Sequence, residues 1–204
     1  SRWSIPMEHP DGASRPIHGG DSPAIHNAVG MARLFIAVLP PDEVVELLRE
    51  LPRKDQRGVR FLPPENWHAT LRFLGDADVN DVAEAMSRAE LPAAEARLGP
   101  AIDMLGSHSV IAPVNGLDHL ARTVDGATAG LGTLEPRPTY RGHITVARVK
   151  RGAIVRKVVG MLCDATFDVH EVALVESRLR PEGSEYRTVT TWPTTAWTPD
   201  GPSP

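Results

Sequence analysis

His68-Ala69-Thr70-Leu71-Arg72-Phe73 and His143-Ile144-Thr145-Val146-Ala147-Arg148 are two versions of one phrase: histidine, any residue, threonine, then an apolar residue. Each follows a proline-containing turn, Pro63-Pro64-Glu65-Asn66 before the first and Pro136 to Pro138 before the second. Each opens a run read as a β-strand, with a further strand and helix upstream, which predicts two copies of one structural unit. Side chains at i and i+2 share one face of a strand. His68 and Thr70 therefore project together, and so do His143 and Thr145. Two such strands, set side by side about a pseudo-twofold axis, line one groove with two imidazoles and two hydroxyls.

Working outward from the first motif, residues 33–39 form a short apolar run read as a buried strand. Pro40-Pro41-Asp42 open a helix with an apolar stripe of Val44, Val45, Leu47, Leu48 and Leu51, closed by Pro52. A strand at 59–62 precedes the motif strand, 68–74, which Gly75-Asp76 are expected to end. Residues 78–89 read as a helix with Val79, Val82, Ala83 and Met86 on one face. Residues 101–105 and 109–114 read as strands joined by a Gly-Ser turn, and 117–131 as a helix after Asn115-Gly116. Strand 142–149 carries the second motif. A short helix at 154–161, a strand at 169–178, a Pro181-Glu182-Gly183 turn and a strand at 186–192 complete the pattern. Strands joined directly by short turns argue for α+β with antiparallel sheet rather than a doubly wound parallel sheet. No Gly-rich phosphate loop follows any strand, so nothing supports a nucleotide-binding α/β fold.

The chain of 204 residues suits one compact domain or two small lobes. Residues 1–30 lack apolar periodicity and hold His9, His18 and His26; they are expected to be a disordered leader or upstream sequence outside the fold. The folded domain is placed at 31–197, and 198–204 as a flexible tail. A formal net charge of −4 excludes global attraction to long nucleic acid, so an RNA ligand would have to be held locally, at an end or a single phosphate. Cys163 is the only cysteine and reads as a small buried apolar residue; with no internal disulfide, a reducing, cytoplasmic setting is expected. No apolar stretch approaches the ~18 residues of a membrane span.

Two imidazoles and two hydroxyls suit phosphodiester hydrolysis without metal or cofactor. One imidazole takes a proton from water and the other gives one to the departing ribose oxygen. An unperturbed pKa near 6.5 makes both protonation states accessible, and each transfer is worth about 10²–10⁴ in rate. Thr70 and Thr145 can donate to the non-bridging oxygens as charge develops there. Arg148, five residues after His143, has the wrong parity for the groove in a regular strand and reaches it only if the strand ends, bulges or twists. Residues 131–160 hold Arg137, Arg141, Arg148, Lys150, Arg151, Arg156 and Lys157 against Glu135 alone, which favours an anionic substrate there. Tyr140 or a tryptophan is a candidate platform for a base, although Trp67, Trp192 and Trp197 fit packing roles better. His108, His119 and His170 are isolated and read as surface or core groups. Two histidines without Asp, Glu or Cys companions make a poor metal site.

These motifs resemble the two-histidine phosphoesterase superfamily, in particular the RNA 2′,3′-cyclic phosphodiesterases also called 2′-5′ RNA ligases. RLFIAVLP resembles the family's opening strand, WHATLRFLG and HITVAR its two His-x-Thr motifs, and VALVESRLRPEGSEYRTVTTWP its C-terminal hairpin. The resemblance covers nearly all of residues 31–193. It implies a bilobal α+β fold, two pseudo-symmetric lobes of antiparallel sheet flanked by helices, with the active site in the cleft between them. It further implies His68 as proton donor to the leaving 3′ oxygen and His143 as the base that activates water. Thr70, Thr145 and Arg148 would bind the phosphate. Partners would be RNA ends or nucleotides bearing a 2′,3′-cyclic phosphate, with no membrane, and a monomer is expected. The sequence departs from the family at Gly142, where proline is usual, and at Val146, where leucine is usual. Two other readings share the scaffold: 2′-5′ ligation of tRNA halves, and a non-catalytic module that binds RNA ends or nucleotides.

Overall fold

A computed structural model describes residues 30–53, 57–153, 155, 158–180 and 183–195. The expected leader, the Pro181-Glu182 part of the last turn, Arg156, Lys157, Trp197 and the 198–204 tail lie outside the described residues, apart from Gly30.

Strand β1 (Met31–Val38) is buried on both faces, which is why its sequence runs apolar without alternation. Leu34, Ile36 and Val38 enter the main core, while Phe35 and Ala37 pack on the other side with Ala173 and Val175. Helix α1 (Asp42–Arg49) opens after Pro41, and the stripe read from sequence is seated by Val44 and Leu48, with Leu51 just beyond. Burying one such leucine is worth about 1.5–3 kcal/mol. Strand β2 (Val59–Phe61) leads through a 3₁₀ turn (Pro64–Asn66) to strand β3 (Ala69–Asp78). Gly75 does not end this strand: at φ 72° it sits at a register shift against β1 and the strand continues to Asp78. Asp78 then caps helix α2 (Val79–Ser87), its carboxylate accepting from the backbone N–H groups of Asn80 and Asp81.

Strands β4 (Ala94–Leu98), β5 (Asp103–Leu105) and β6 (Ser109–Asn115) follow. Helix α3 (Asp118–Ala127) is shorter than its apolar pattern, because Gly130 and Gly132 turn the chain at positive φ and carry it back to Leu74 in the middle of β3. Strands β7 (His143–Val149), β8 (Ala165–Val169), β9 (Glu171–Arg180) and β10 (Gly183–Pro193) complete the chain. The helix expected at 154–161 is not found among its described residues, where Val158–Gly160 bend and turn. No helix among the described residues is long and apolar enough to cross a membrane.

All strand pairings are antiparallel, in the order β10-β9-β1-β3-β7-β6-β4-β8, with β2 added to β7 and β5 to β6. The α+β class and the two halves are as expected: β10-β9-β1-β3 form one and β7-β6-β4-β8 the other. They meet at a single residue pair, Ala69 with Ile144. Beyond that pair β3 and β7 part company, and the splayed gap between them is the cleft.

Candidate active site

The one pair that joins the two halves lies inside the two motifs. Stepping one residue either way along antiparallel strands sets His68 across from Thr145 and Thr70 across from His143. The duplicated sequence thus places two imidazoles and two hydroxyls on the residues that flank the Ala69–Ile144 pair.

Both motifs are followed by the same irregularity. In β3 the register against β1 skips Leu71, and in β7 the register against β6 skips Val146. Each β-bulge inserts one residue and reverses the parity of everything after it. Leu71 and Arg72 therefore both turn inward, as do Val146 and Ala147, and the residue at i+5 returns to the groove. On β7 that residue is Arg148, which resolves the parity problem left by the sequence. Its Nη1 donates to Ser109 Oγ at 2.7 Å, and its charge acts on both histidines. On β3 the matching residue is Phe73, half-exposed beneath the Arg137 guanidinium at 5.2 Å.

The histidines are held alike. His143 Nδ1 lies 2.8 Å from the Arg141 carbonyl oxygen and donates to it, which leaves Nε2 with its lone pair free. His68 likewise hydrogen-bonds the backbone of Asn66, again two residues upstream. Their surroundings differ. His68 packs against Phe35 with ring centroids 4.6 Å apart and meets Tyr186 edge-on at 5.0 Å. Burial in this aromatic setting pushes its pKa down to about 4, helped by the charges of His143 and Arg148 and opposed by the Asn66 bond. His143 is also lowered, chiefly by burial, then by Arg137, Arg141 and Arg148. Both rings are therefore biased to neutrality.

Beside His143 the gap between β3 and β7 opens into a cavity of about 390 Å³ whose lining includes Thr70, Phe73 and Tyr140. Of the candidate base platforms, Tyr140 lines this cavity, while Trp67 is buried under Arg53 and Trp192 donates to Ser87 Oγ. Gly142, one of the two departures from the family pattern, has a local cause. A Cβ there would stand 2.2 Å from the Val114 carbonyl oxygen and 3.2 Å from the Tyr140 hydroxyl, so the close approach of this turn to β6 admits only glycine. The sequence reading missed Phe35, Tyr186 and Phe73. Phe73 was legible by duplication, since it stands where Arg148 stands in the second motif.

A family described as LigT like Phosphoesterase matches residues 36–99. The RNA 2′,3′-cyclic phosphodiesterase of Thermus thermophilus is 30% identical over 172 residues, covering 76% of this chain and 86% of that protein. The protein of the same name from Archaeoglobus fulgidus is 29% identical over 174 residues, covering 76% and 96%. Among solved structures, TT0787 of Thermus thermophilus superposes with a TM-score of 0.68 at 28% identity, covering 79% of this chain and 97% of that one. Escherichia coli LigT complexed with 3′-AMP superposes at 0.65 with 23% identity, covering 81% and 99%, a likeness of fold.

Proposed function

The chain belongs to the LigT-like phosphoesterase family, and from that premise we propose that it hydrolyses RNA or nucleoside 2′,3′-cyclic phosphates to 2′-phosphates by acid–base catalysis between His68 and His143. The observation that carries this reading is the antiparallel apposition of the two His-x-Thr motifs at the only pair joining β3 to β7. The relatives named RNA 2′,3′-cyclic phosphodiesterase support the substrate class.

The cyclic phosphate sits between the imidazoles. Nε2 of His143, free because Nδ1 is engaged by Arg141, accepts a proton from the attacking water. The new P–O bond forms as the P–O3′ bond breaks, and His68 gives its proton to the leaving 3′ oxygen. Thr70, Thr145 and Arg148 hold the non-bridging oxygens, on which negative charge rises in the transition state. The assignment of donor and acceptor follows the family resemblance. Burial lowers both rings, His68 to about 4, so His68 serves as donor only when the bound phosphate favours its protonated form. The negative charge of the bound phosphate opposes the burial that keeps the free ring neutral. Phe73 under Arg137 offers a stacking face for the base of the same nucleotide.

The test is turnover of a short RNA ending in a 2′,3′-cyclic phosphate, with chelator present, by the native protein and by His68→Ala and His143→Ala. A 2′-phosphate product, lost in both variants while the fold persists, is expected. Binding without turnover in the native protein would leave only a nucleotide-binding module.

A further inference from the structure

The cavity beside His143 contains a pair of groups that the hydrolytic reaction does not use. Arg72 and Asp125 both line it, with Arg72 Nε 3.6 Å from an Asp125 carboxylate oxygen. Arg72 is 3% exposed, yet among the described residues its Nε and Nη1 have no hydrogen-bond partner. Leaving a buried charged donor unsatisfied is costly. The fold itself does not call for the arrangement: the matching position after the second motif is Ala147, buried in the same inward-facing place behind its bulge.

We infer that this cavity reads the nucleobase of the substrate and selects guanine, with Arg72 donating to the acceptor side of the base and Asp125 accepting from its donor side. The inference rests on the phosphodiesterase reading, because it takes the base to enter the gap beside the cyclic phosphate. The contents of the cavity decide what enters. The lining also holds Arg33, Arg137, Arg141 and Glu135; a second phosphate would meet those cations but also the Asp125 and Glu135 carboxylates and the apolar walls of Leu71, Phe73 and Leu134. A neutral planar ring uses both: the walls take its faces and the ion pair takes its edge. A guanidinium is a donor only and a carboxylate an acceptor only, so the complementary edge carries an acceptor beside adjacent donors. Among the RNA bases guanine alone offers O6 next to two donors, N1–H and the N2 amine. Adenine and cytosine place a donor where guanine has O6, and uracil has a single donor. The cavity lies in the splayed gap and shares Thr70 and His143 with the reacting centre, so base selection and phosphate binding are adjacent parts of one groove.

Two measurements on the full chain test this. Calorimetric dissociation constants of the four nucleoside 2′-monophosphates require no turnover, and kcat/KM for the four nucleoside 2′,3′-cyclic phosphates reads the reaction. The guanine compounds are expected to lead by roughly tenfold or more, the usual worth of a good paired contact to a base edge. In Arg72→Met, which puts an apolar chain where the duplicate motif has alanine, and in Asp125→Asn, that lead should collapse. Constants for the four bases that agree within about twofold would overturn the inference, as would a guanine preference that survives both substitutions. A gain from a 5′-phosphate that vanishes in Arg72→Met, without base preference, would overturn it in favour of a phosphate pocket. Failure to hydrolyse any cyclic nucleotide would strike the phosphodiesterase reading instead, and the binding series would still decide the question of the base.

Discussion

Replacing His68 with asparagine should make the stability of this protein less sensitive to acid, and the size of the effect follows from where the ring sits. Between Phe35 and Tyr186, His68 titrates near 4 in the folded protein, against 6.5 for an exposed ring in the unfolded chain. A group with a depressed folded pKa favours the native state fully above the unfolded value. That advantage is lost as pH falls from 6.5 through 4, because the unfolded chain takes up a proton that the folded one refuses. At 1.36 kcal/mol per pH unit the gap amounts to about 3 kcal/mol at most, somewhat less because the ring keeps some contact with water. Asparagine preserves a polar donor for the Asn66 backbone and does not titrate. Unfolding free energies from urea titration, measured from pH 7 to pH 4 on both proteins, isolate the term. The difference between variant and native protein should move by about 2–3 kcal/mol in favour of the variant across that window. His143 and the carboxylates titrate in both proteins and cancel in the difference. Parallel stability curves would refute the claim that aromatic burial holds His68 neutral.

Two further substitutions test the groove. Arg148→Met removes the cation that the β7 bulge delivers beside both histidines. It should lower kcat/KM by about 10²-fold, mainly through kcat, while stability falls by only about 1 kcal/mol for the lost bond to Ser109 Oγ. Steady-state kinetics and denaturant unfolding read the two halves, and an effect confined to KM would argue against transition-state stabilisation. Gly142→Ala forces a Cβ onto the Val114 carbonyl oxygen and should destabilise by about 1–3 kcal/mol. An unchanged unfolding midpoint would mean that the turn before His143 is not close-packed.

What could be read from the sequence was what periodicity and punctuation encode. Helices α1 and α2 were legible because their buried positions recur at helical spacing and their starts are marked, by Pro41 and by the Asp78 cap. Strands β4 and β8 were not, because each has only two core positions alternating with polar residues, Ala96 and Leu98 in one, Phe167 and Val169 in the other. The strand read at 169–178 is really β9 with the end of β8 attached, since the chain turns at His170 between them. At the site, the His-x-Thr pairs were legible because i and i+2 need only a strand. Arg148 was not, because its direction depends on a bulge at Val146 that no residue type announces. Phe35 and Tyr186 reach His68 from strands distant in sequence, through the pairing of β1 and β10 with β9, which no local pattern contains.

On the proposed function, the two bulges also give a physical reason for a duplicated motif to act in one direction. Symmetric placement of His68 and His143 would let either serve as acid, and either side of the groove receive the base. The residues behind each bulge break that equivalence. After His143 the pair at i+4 and i+5 is Ala147 and Arg148, an empty interior position and a cation at the groove. After His68 the pair is Arg72 and Phe73, a buried cation facing Asp125 and an aromatic face at the groove. On that reading the negative phosphate is drawn toward β7, and a planar ring toward β3 and the cavity beside it. A nucleotide that obeys both preferences has one orientation only. On the proposed function, the orientation of the substrate follows from what each copy of the motif carries behind its bulge, on a backbone frame that the two copies still share.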